Sequence, residues 1–215
     1  MKDIKNAIEF YYAATGLKEL LRQGAVQWKV KRKRLEDVAD HIFGTQILAI
    51  ALKNNLNINI DLGYVLEMLT IHELEELKIG DLTYFTGKNI TKEQKTQRGA
   101  EFVSNLLSKL TNKEYYQKMI DDFNCGNTLE AKFAKACDKF ENVLEFKKYA
   151  DAGQVNLSHG SAEMLADKTI QKYLKEGITS LEDIWFIYHS PSFESFGLTR
   201  EVWKKTIKPI DTKGK

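Results

Sequence analysis

The chain has 215 residues, of which 43% are hydrophobic and 29% charged, as is typical of a globular protein with a sizeable core. Its 32 Lys and Arg against 30 Asp and Glu give a net charge of +2, which is too balanced to favour nucleic acid or an anionic membrane as a partner. Two cysteines are too few for a disulfide framework or a thiolate metal site, so we expect a cytoplasmic protein. We expect neither a signal peptide nor a membrane span, because polar residues interrupt every apolar stretch.

The pattern along the chain predicts an all-α fold. The chain holds two prolines, Pro191 and Pro209, and few alternating runs of Val, Ile and Thr. Periodicity predicts helices over residues 3–23, 36–53, 62–78, 91–111, 112–122, 128–150, 160–176, 180–189 and 198–207. Gly80 is expected to end the third helix, Thr128 to cap the sixth, and residues 81–90 to form a loop.

The third predicted helix ends in a group of polar residues on its apolar face. The face is defined by three- and four-residue steps through Leu62, Val65, Leu66, Leu69, His72, Glu73 and Glu76. Buried carboxylates need protons, a cationic partner or a metal ion, and a divalent metal accepts imidazole and carboxylate together. The alternative is an exposed helix end. Glu75 falls off this face, and we expect it in solvent.

A second histidine, His41, lies on the apolar face of the preceding predicted helix, between Val38 and Thr45. A single histidine on such a face is usually a core residue. Two of the chain's four histidines on neighbouring helices instead indicate a shared site. His159 and His189 have no carboxylate at ligand spacing, so we expect them to be structural.

The sixth predicted helix offers another carboxylate. Phe133, Cys137, Phe140 and Leu144 form its core stripe, and Asp138 lies at the edge of that stripe. Asp138 could reach the same cavity as the two histidines, although the pattern alone equally allows a solvated aspartate.

Three segments together resemble the HD-domain phosphohydrolases, in the branch of the bacterial 5′-deoxynucleotidases and the eukaryotic HD-domain-containing protein 2 group. The segment RLEDVADH, residues 34–41, matches R-x-E-x-V-x-[DE]-H, and HELEELKIGD, residues 72–81, matches H-D-x-x-E-x-x-x-G-D. The segment EAKFAKACDKFE, residues 130–141, matches the region of the last metal ligand. The resemblance covers roughly residues 15–150. It implies an HD-domain helical bundle over residues 1–150. Residues 151–215 lie outside the resemblance, and their many aromatic residues predict a C-terminal helical extension packed on the bundle, with a dimer contact or a lid as the alternatives.

The resemblance also implies a site and a reaction. One divalent metal ion (cobalt, manganese, nickel, zinc or iron) would be held by His41, His72, Glu73 and Asp138. Glu76 would position or deprotonate the attacking water, and Asp81 would lie near the sugar 3′-hydroxyl. The implied reaction is hydrolysis of a nucleoside 5′-monophosphate, deoxy or ribo, to nucleoside and phosphate. The expected partners are therefore a nucleotide and, by the same resemblance, a second copy in a homodimer.

Two positions depart from the family pattern. Glu73 stands where the family has aspartate, and its side chain is one methylene longer. Gln27-Trp28 is the nearest match to an Arg-Trp pair of the bacterial deoxynucleotidases, so a bidentate phosphate donor is missing. We keep Gln27, Trp28 and Arg34 as substrate-binding candidates. Arg22, Lys31 and Arg34 are the candidates to replace the lost guanidinium.

These departures leave alternatives open. The enzyme could act on another nucleotide, such as a triphosphate or a guanosine-based alarmone. A degenerate HD domain could instead bind a nucleotide without turnover. The basic run KVKRKR, residues 29–34, is interpreted as a phosphate-attracting rim or a solvated face rather than a nucleic-acid patch.

Overall fold

A computed structural model describes residues 2–82 and 92–206. Within these two ranges the secondary structure is helical, apart from one isolated antiparallel bridge between Leu21 and Asp37. The prediction of an all-α fold is confirmed. A search of the same residues for a helix of the length and apolarity that a bilayer requires finds none. The predicted loop over residues 81–90 lies largely outside the described residues.

The helices follow the predicted order with shifted ends. In chain order they are α1 (Lys2–Ala14), α2 (Gln23–Gln27), α3 (Val38–Leu56), α4 (Leu62–Ile71), α5 (Glu76–Ile79), α6 (Lys92–Leu107), α7 (Lys113–Cys125), α8 (Leu129–Asp151), α9 (Ala162–Leu165), α10 (Lys168–Lys175), α11 (Leu181–His189) and α12 (Arg200–Thr206). Short 3₁₀ helices cover Thr15–Glu19, Leu157–His159, Ser190–Ser192 and Glu194–Phe196. The helix predicted over residues 160–176 is wrong as a single element, because the chain turns between α9 and α10, where the Asp167 side chain caps α10.

Two compact units divide the chain. The first comprises Met1–Gln23 and Glu36–Ala134, and the second comprises Gly24–Leu35 and Lys135–Lys215. The boundary in the C-terminal half thus falls inside α8. The predicted functional division at residue 150 stays a prediction.

In the first unit, α3 packs against α4, and α4 packs against α7. The start of α3 is fixed by a capping box, in which the Asp37 side chain accepts from the Asp40 N–H and the Asp40 side chain accepts from the Asp37 N–H. The buried face of α3 is made by Val38, His41, Thr45 and Ala49. This spacing of three and four residues is the helical periodicity that the sequence shows.

The helix predicted over residues 3–23 is wrong beyond Ala14. After α1 the chain tightens into the 3₁₀ helix and then becomes extended at Leu20. The extended segment pairs with the start of α3, since Val38 donates its N–H to the Leu20 carbonyl (2.8 Å) and Arg22 donates to the Glu36 carbonyl (3.0 Å). This pairing between distant parts of the chain overrides the local helical preference.

The second unit has an aromatic core. Phe140 of α8 contacts Phe186 of α11, Phe193 and Trp203 of α12, with ring centroids 5.0–6.4 Å apart. The indole N–H of Trp203 donates to Asp183 at 2.8 Å. Phe186, Phe193 and Trp203 of the C-terminal segment are therefore packed in a core of their own unit.

Candidate metal centre

The structure brings His41 to the site from a regular helix. Its side chain is completely buried on the inner face of α3, one turn after the capping box. The His41 ring centroid is 5.9 Å from that of His72. A fully buried imidazole so close to a second one is the arrangement expected of a metal site.

His72 comes from a break between helices, where the sequence predicts one continuous helix over residues 62–78. That prediction is wrong: α4 ends at Ile71, a turn follows, and α5 begins at Glu76. The His72 Nδ1 atom lies 2.8 Å from the Leu69 carbonyl oxygen, which the Glu73 N–H would bind in a continuing α-helix. The next hydrogen bonds span three residues, as from the Glu76 N–H to the Glu73 carbonyl (3.0 Å).

This hydrogen bond also orients the His72 ring. Because a carbonyl oxygen only accepts, Nδ1 carries the proton of the neutral ring. Nε2 is then the nitrogen with an available lone pair, as in histidines that bind a metal.

The Glu73 carboxylate lies between the two imidazoles. Its Oε1 atom is 3.5 Å from His72 Nε2 and 3.8 Å from His41 Nε2. The ligand atoms of these three residues lie within 4.8 Å of one another. Two imidazole nitrogens and a carboxylate oxygen around one point fit a borderline divalent cation such as zinc, cobalt or manganese.

Glu76 lies beside this cluster with its side chain buried, at 6% exposure. Burial, together with the carboxylates of Glu73 and Asp81, raises the pKa of Glu76 far above its ordinary value, against the opposite effect of Arg22. Its Oε2 atom is buried without a hydrogen-bond partner among the described residues. A carboxyl group held in this way can bind or release a proton at the site.

Asp81 and Arg22 complete the cluster within the first unit. Asp81 Oδ2 accepts from the Gln23 N–H at 2.7 Å and lies 3.4 Å from Arg22 Nη1. The same Nη1 is 3.9 Å from Glu73 Oε1. Burial lowers the pKa of Arg22, but Asp81, Glu73 and further carboxylates raise it by more, so the guanidinium stays charged.

Two residues near the site, Arg22 and Glu75, make contacts that the sequence pattern does not predict. Arg22 was one of three candidates to replace a missing guanidinium, and its place beside Glu73 depends on the pairing of residues 20–23 with the start of α3. Glu75 is half-buried rather than solvated, because it contacts α6: a Cβ atom at Gly99 would lie 2.8 Å from Glu75 Oε2.

The other predicted site residues belong to the second unit, so their part in a common site stays a prediction. Asp138 lies on α8 with 4% exposure, and Lys139 Nζ is 2.9 Å from its Oδ2. Trp28 is an interior residue at 1% exposure, and its ring contacts Trp185 edge-on with centroids 6.0 Å apart. Gln27 is half-buried at the end of α2, and Arg34 is exposed.

His189 also lies in the second unit and stacks on Trp185, with ring centroids 5.4 Å apart and planes at 15°. Burial and the neighbouring Lys139 lower the pKa of His189 to about 4, although Asp138 acts in the opposite direction. A neutral, stacked imidazole is what the sequence predicts for a structural histidine.

Comparison with known proteins places these residues in a family. The HD domain model matches residues 14–181. The chain belongs to the HD-domain family. The resemblance inferred from the three motifs is thereby confirmed, and the match extends past residue 150, where the inferred resemblance ends.

Relatives and solved structures agree with this assignment. The human 5′-deoxynucleotidase HDDC2 is 28% identical over 182 residues, covering 82% of this chain and 83% of the relative. The protein of the same name from Dictyostelium discoideum is 30% identical over 154 residues, covering 68% of this chain and 78% of the relative.

Among solved structures, a predicted metal-dependent phosphohydrolase from Magnetospirillum magnetotacticum aligns with a TM-score of 0.61 and 20% identity over 91% of this chain and 93% of its own. A conserved hypothetical protein from Pyrococcus furiosus aligns with a TM-score of 0.58 and 24% identity over 82% of this chain and 98% of its own. At these identities the structures show a shared HD-domain fold.

Proposed function

We propose that this protein is a metal-dependent phosphohydrolase that converts deoxynucleoside 5′-monophosphates to nucleoside and phosphate. The observation that carries the proposal is the convergence of His41, His72 and Glu73 on one point, with the buried Glu76 beside them. The 5′-deoxynucleotidase names of the HDDC2 relatives support the choice of substrate.

His41, His72 and Glu73 would hold one divalent metal ion, and we propose Asp138 as the fourth ligand because its carboxylate is buried. The donor set suits cobalt, manganese, nickel, zinc or iron and does not choose among them. When bound, such an ion polarises a phosphoryl oxygen and lowers the pKa of a bound water.

In this proposal Glu76 handles the proton of the attacking water. Its Oε2 atom, buried and without a partner among the described residues, is the position that would accept this proton and later return it to the leaving oxygen. Burial and the carboxylates of Glu73 and Asp81 raise the pKa of Glu76, so this environment opposes a further negative charge. A nearby dication would lower that pKa and free the carboxylate to act as a base.

We propose that Asp81 binds a sugar hydroxyl. Both of its described contacts, to Gln23 and to Arg22, are made by Oδ2, and Oδ1 is the atom we assign to the sugar. Gln27, Trp28 and Arg34 stay substrate-binding candidates from the family resemblance. A cytoplasmic location and a homodimer are also part of the proposal, and the two free thiols, Cys125 and Cys137, suit a reducing compartment.

The second candidate is an HD domain that binds a nucleotide without turnover. The observation that favours it is Glu73, whose longer side chain moves the carboxylate away from where an aspartate would hold it. Another nucleotide, such as a triphosphate or an alarmone, is the alternative within the enzyme class.

Phosphate release from a panel of deoxy- and ribonucleoside mono- and triphosphates tests the proposal. Metal-stripped protein is assayed alone and with each candidate metal. We expect metal-dependent release from the deoxynucleoside monophosphates, reduced roughly 10²- to 10⁴-fold in Glu76→Gln. Glu75→Gln is the matched control, because Glu75 lies in the same turn but contacts α6, and we expect it to keep most activity.

Two outcomes would contradict the proposal. Metal-loaded protein that releases no phosphate from any nucleotide would favour the binding domain. Full activity in Glu76→Gln would remove Glu76 from the mechanism.

A further inference from the structure

Arg22 is the feature of the site that the motifs leave unexplained. Its Nη1 atom lies 3.9 Å from Glu73 Oε1 and 3.4 Å from Asp81 Oδ2. Its side chain is 13% exposed, so solvent screens these contacts less than it would a surface ion pair.

The backbone around Arg22 is tied down on both sides. The Arg22 N–H donates to the Glu36 carbonyl at 3.0 Å, and the Leu20 carbonyl accepts from Val38. The next residue, Gln23, donates its N–H to Asp81 at 2.7 Å. The backbone that carries the Arg22 side chain is thus tied to the start of α3, the helix of His41, and to Asp81.

Glu73 has the longest side chain of the proposed carboxylate ligands. It lies in the turn between α4 and α5, and a glutamate side chain has three rotatable bonds to order. Its Oε1 atom nevertheless lies within 4 Å of three nitrogens, which belong to His41, His72 and Arg22. The guanidinium contact comes from the segment before α3, and so from outside both α3 and the turn that carries His72 and Glu73.

We propose that Arg22 is a positioning residue for the metal site: its guanidinium, anchored on Asp81, holds the Glu73 carboxylate against the two histidines. This inference rests on the metal site of the proposed function. Partners that orient a ligand in this way are typically worth 10- to 100-fold in metal affinity.

A purely electrostatic role would have the opposite sign. The positive charge of Arg22 repels a dication, so removing it would tighten metal binding if charge were its only effect. Positioning predicts weaker binding after the same change. The sign of the change in affinity therefore separates the two roles.

Titration of Co²⁺ into metal-stripped full-length protein tests the inference. We expect Arg22→Gln to weaken Co²⁺ binding roughly 10- to 100-fold. Arg22→Lys keeps the charge but loses the planar fork, so we expect it to restore part of the affinity. In a Glu73→Asp background, Arg22→Gln should change the affinity less than about threefold, because the shorter carboxylate no longer reaches the guanidinium.

Lys109→Gln is the matched control, since it removes a cation of the first unit whose described ion pair is with Glu9. Unchanged or tighter Co²⁺ binding in Arg22→Gln would overturn the inference, as would equal weakening in the wild-type and Glu73→Asp backgrounds. If Arg22→Gln does not fold, Arg22→Lys decides: weaker binding by folded protein supports positioning, and unchanged binding overturns it. Because the readout is metal affinity, a protein that binds Co²⁺ as expected but hydrolyses no nucleotide would contradict only the proposed function.

Discussion

The two histidines of the site are held by differently built segments. His41 lies in the long, uninterrupted α3, whose first turn is closed by the capping box of Asp37 and Asp40. His72 lies where α4 ends, and its own ring bonds the Leu69 carbonyl in the turn before α5. A regular helix positions His41. The ring of His72, in contrast, takes part in the helix break in which His72 itself lies.

This difference has a chemical consequence. A regular helix presents side chains of one face at intervals of three and four residues, whereas the tighter turn after Ile71 brings consecutive residues, His72 and Glu73, to the same point. The break also buries Glu76 at the start of α5, beside two other carboxylates. The regular helix α3 contributes one imidazole, whereas the segment from α4 to α5 contributes the second imidazole and two neighbouring carboxyl groups.

The largest expected effect follows from the burial of Glu76 beside the carboxylates of Glu73 and Asp81. Since the folded-state pKa of Glu76 is raised, its contribution to stability is present below the unfolded-state pKa of about 4.3 and is lost as pH rises. We expect metal-free protein to lose up to about 1.4 kcal/mol of unfolding free energy per pH unit between about pH 5 and neutral pH.

Glu76→Gln should flatten this dependence and stabilise metal-free protein at neutral pH, measured by urea unfolding across that range. Glu75→Gln is again the control and should leave the slope unchanged. A wild-type slope that survives in Glu76→Gln would show that another group titrates.

Substitution of Gly80 tests how tightly the backbone is fixed at the end of the broken segment, which runs from α4 to α5. It has φ 78° and ψ 165°, a conformation that is essentially restricted to glycine. A Cβ atom there meets no atom of the described residues within 4 Å, so we expect Gly80→Ala to report backbone strain. We expect a loss of about 1–3 kcal/mol.

Gly126, at φ 66° and ψ 31° after α7, is the comparison glycine, and Gly126→Ala should lose only about 1 kcal/mol. Both losses are read from chemical denaturation. An equal loss at the two glycines would mean that the backbone after α5 relaxes easily.

The smallest expected effect compares the helix caps that precede the two histidines. Asp37 caps α3, and Asp61 caps α4 by accepting from the Tyr64 N–H at 3.1 Å. Replacing either by alanine should cost about 1 kcal/mol of unfolding free energy.

The two caps should differ in their effect on the metal. His41 follows Asp37 by one turn, whereas His72 lies at the far end of α4, so Asp37→Ala should weaken Co²⁺ binding more than Asp61→Ala. Equal Co²⁺ affinities in the two variants would contradict this difference.

The sequence predicted the regular segment better than the broken one, and the reason is physical. Local signals define α3: an apolar stripe and an aspartate at its start, so that residues 36–53 were predicted and Val38–Leu56 is observed. The Thr128 cap of α8 was likewise predicted and is confirmed by the Ala131 N–H, which donates to Thr128 Oγ1 at 3.1 Å. Such signals act within a few residues of one another.

The break after Ile71 and the position of Arg22 depend on other interactions. No glycine or proline marks residues 72–75, and the turn instead involves a side chain that competes for a backbone carbonyl. Arg22 reaches Glu73 only because residues 20–23 pair with the start of α3. A periodic pattern does not contain such a non-local contact, so the motifs point to the proposed ligands but not to the residue beside them.

The most direct test of the central claim is the stoichiometry of Co²⁺ binding to metal-stripped protein, followed by calorimetry and by the visible absorption of the bound ion. We predict one Co²⁺ per chain in the wild type, and no binding at comparable concentrations in His41→Ala or in His72→Ala. His159→Ala, which changes a histidine of the second unit, should bind as the wild type does. Wild-type affinity in folded His41→Ala or His72→Ala would contradict the claim that the regular and the broken segment together hold one metal ion.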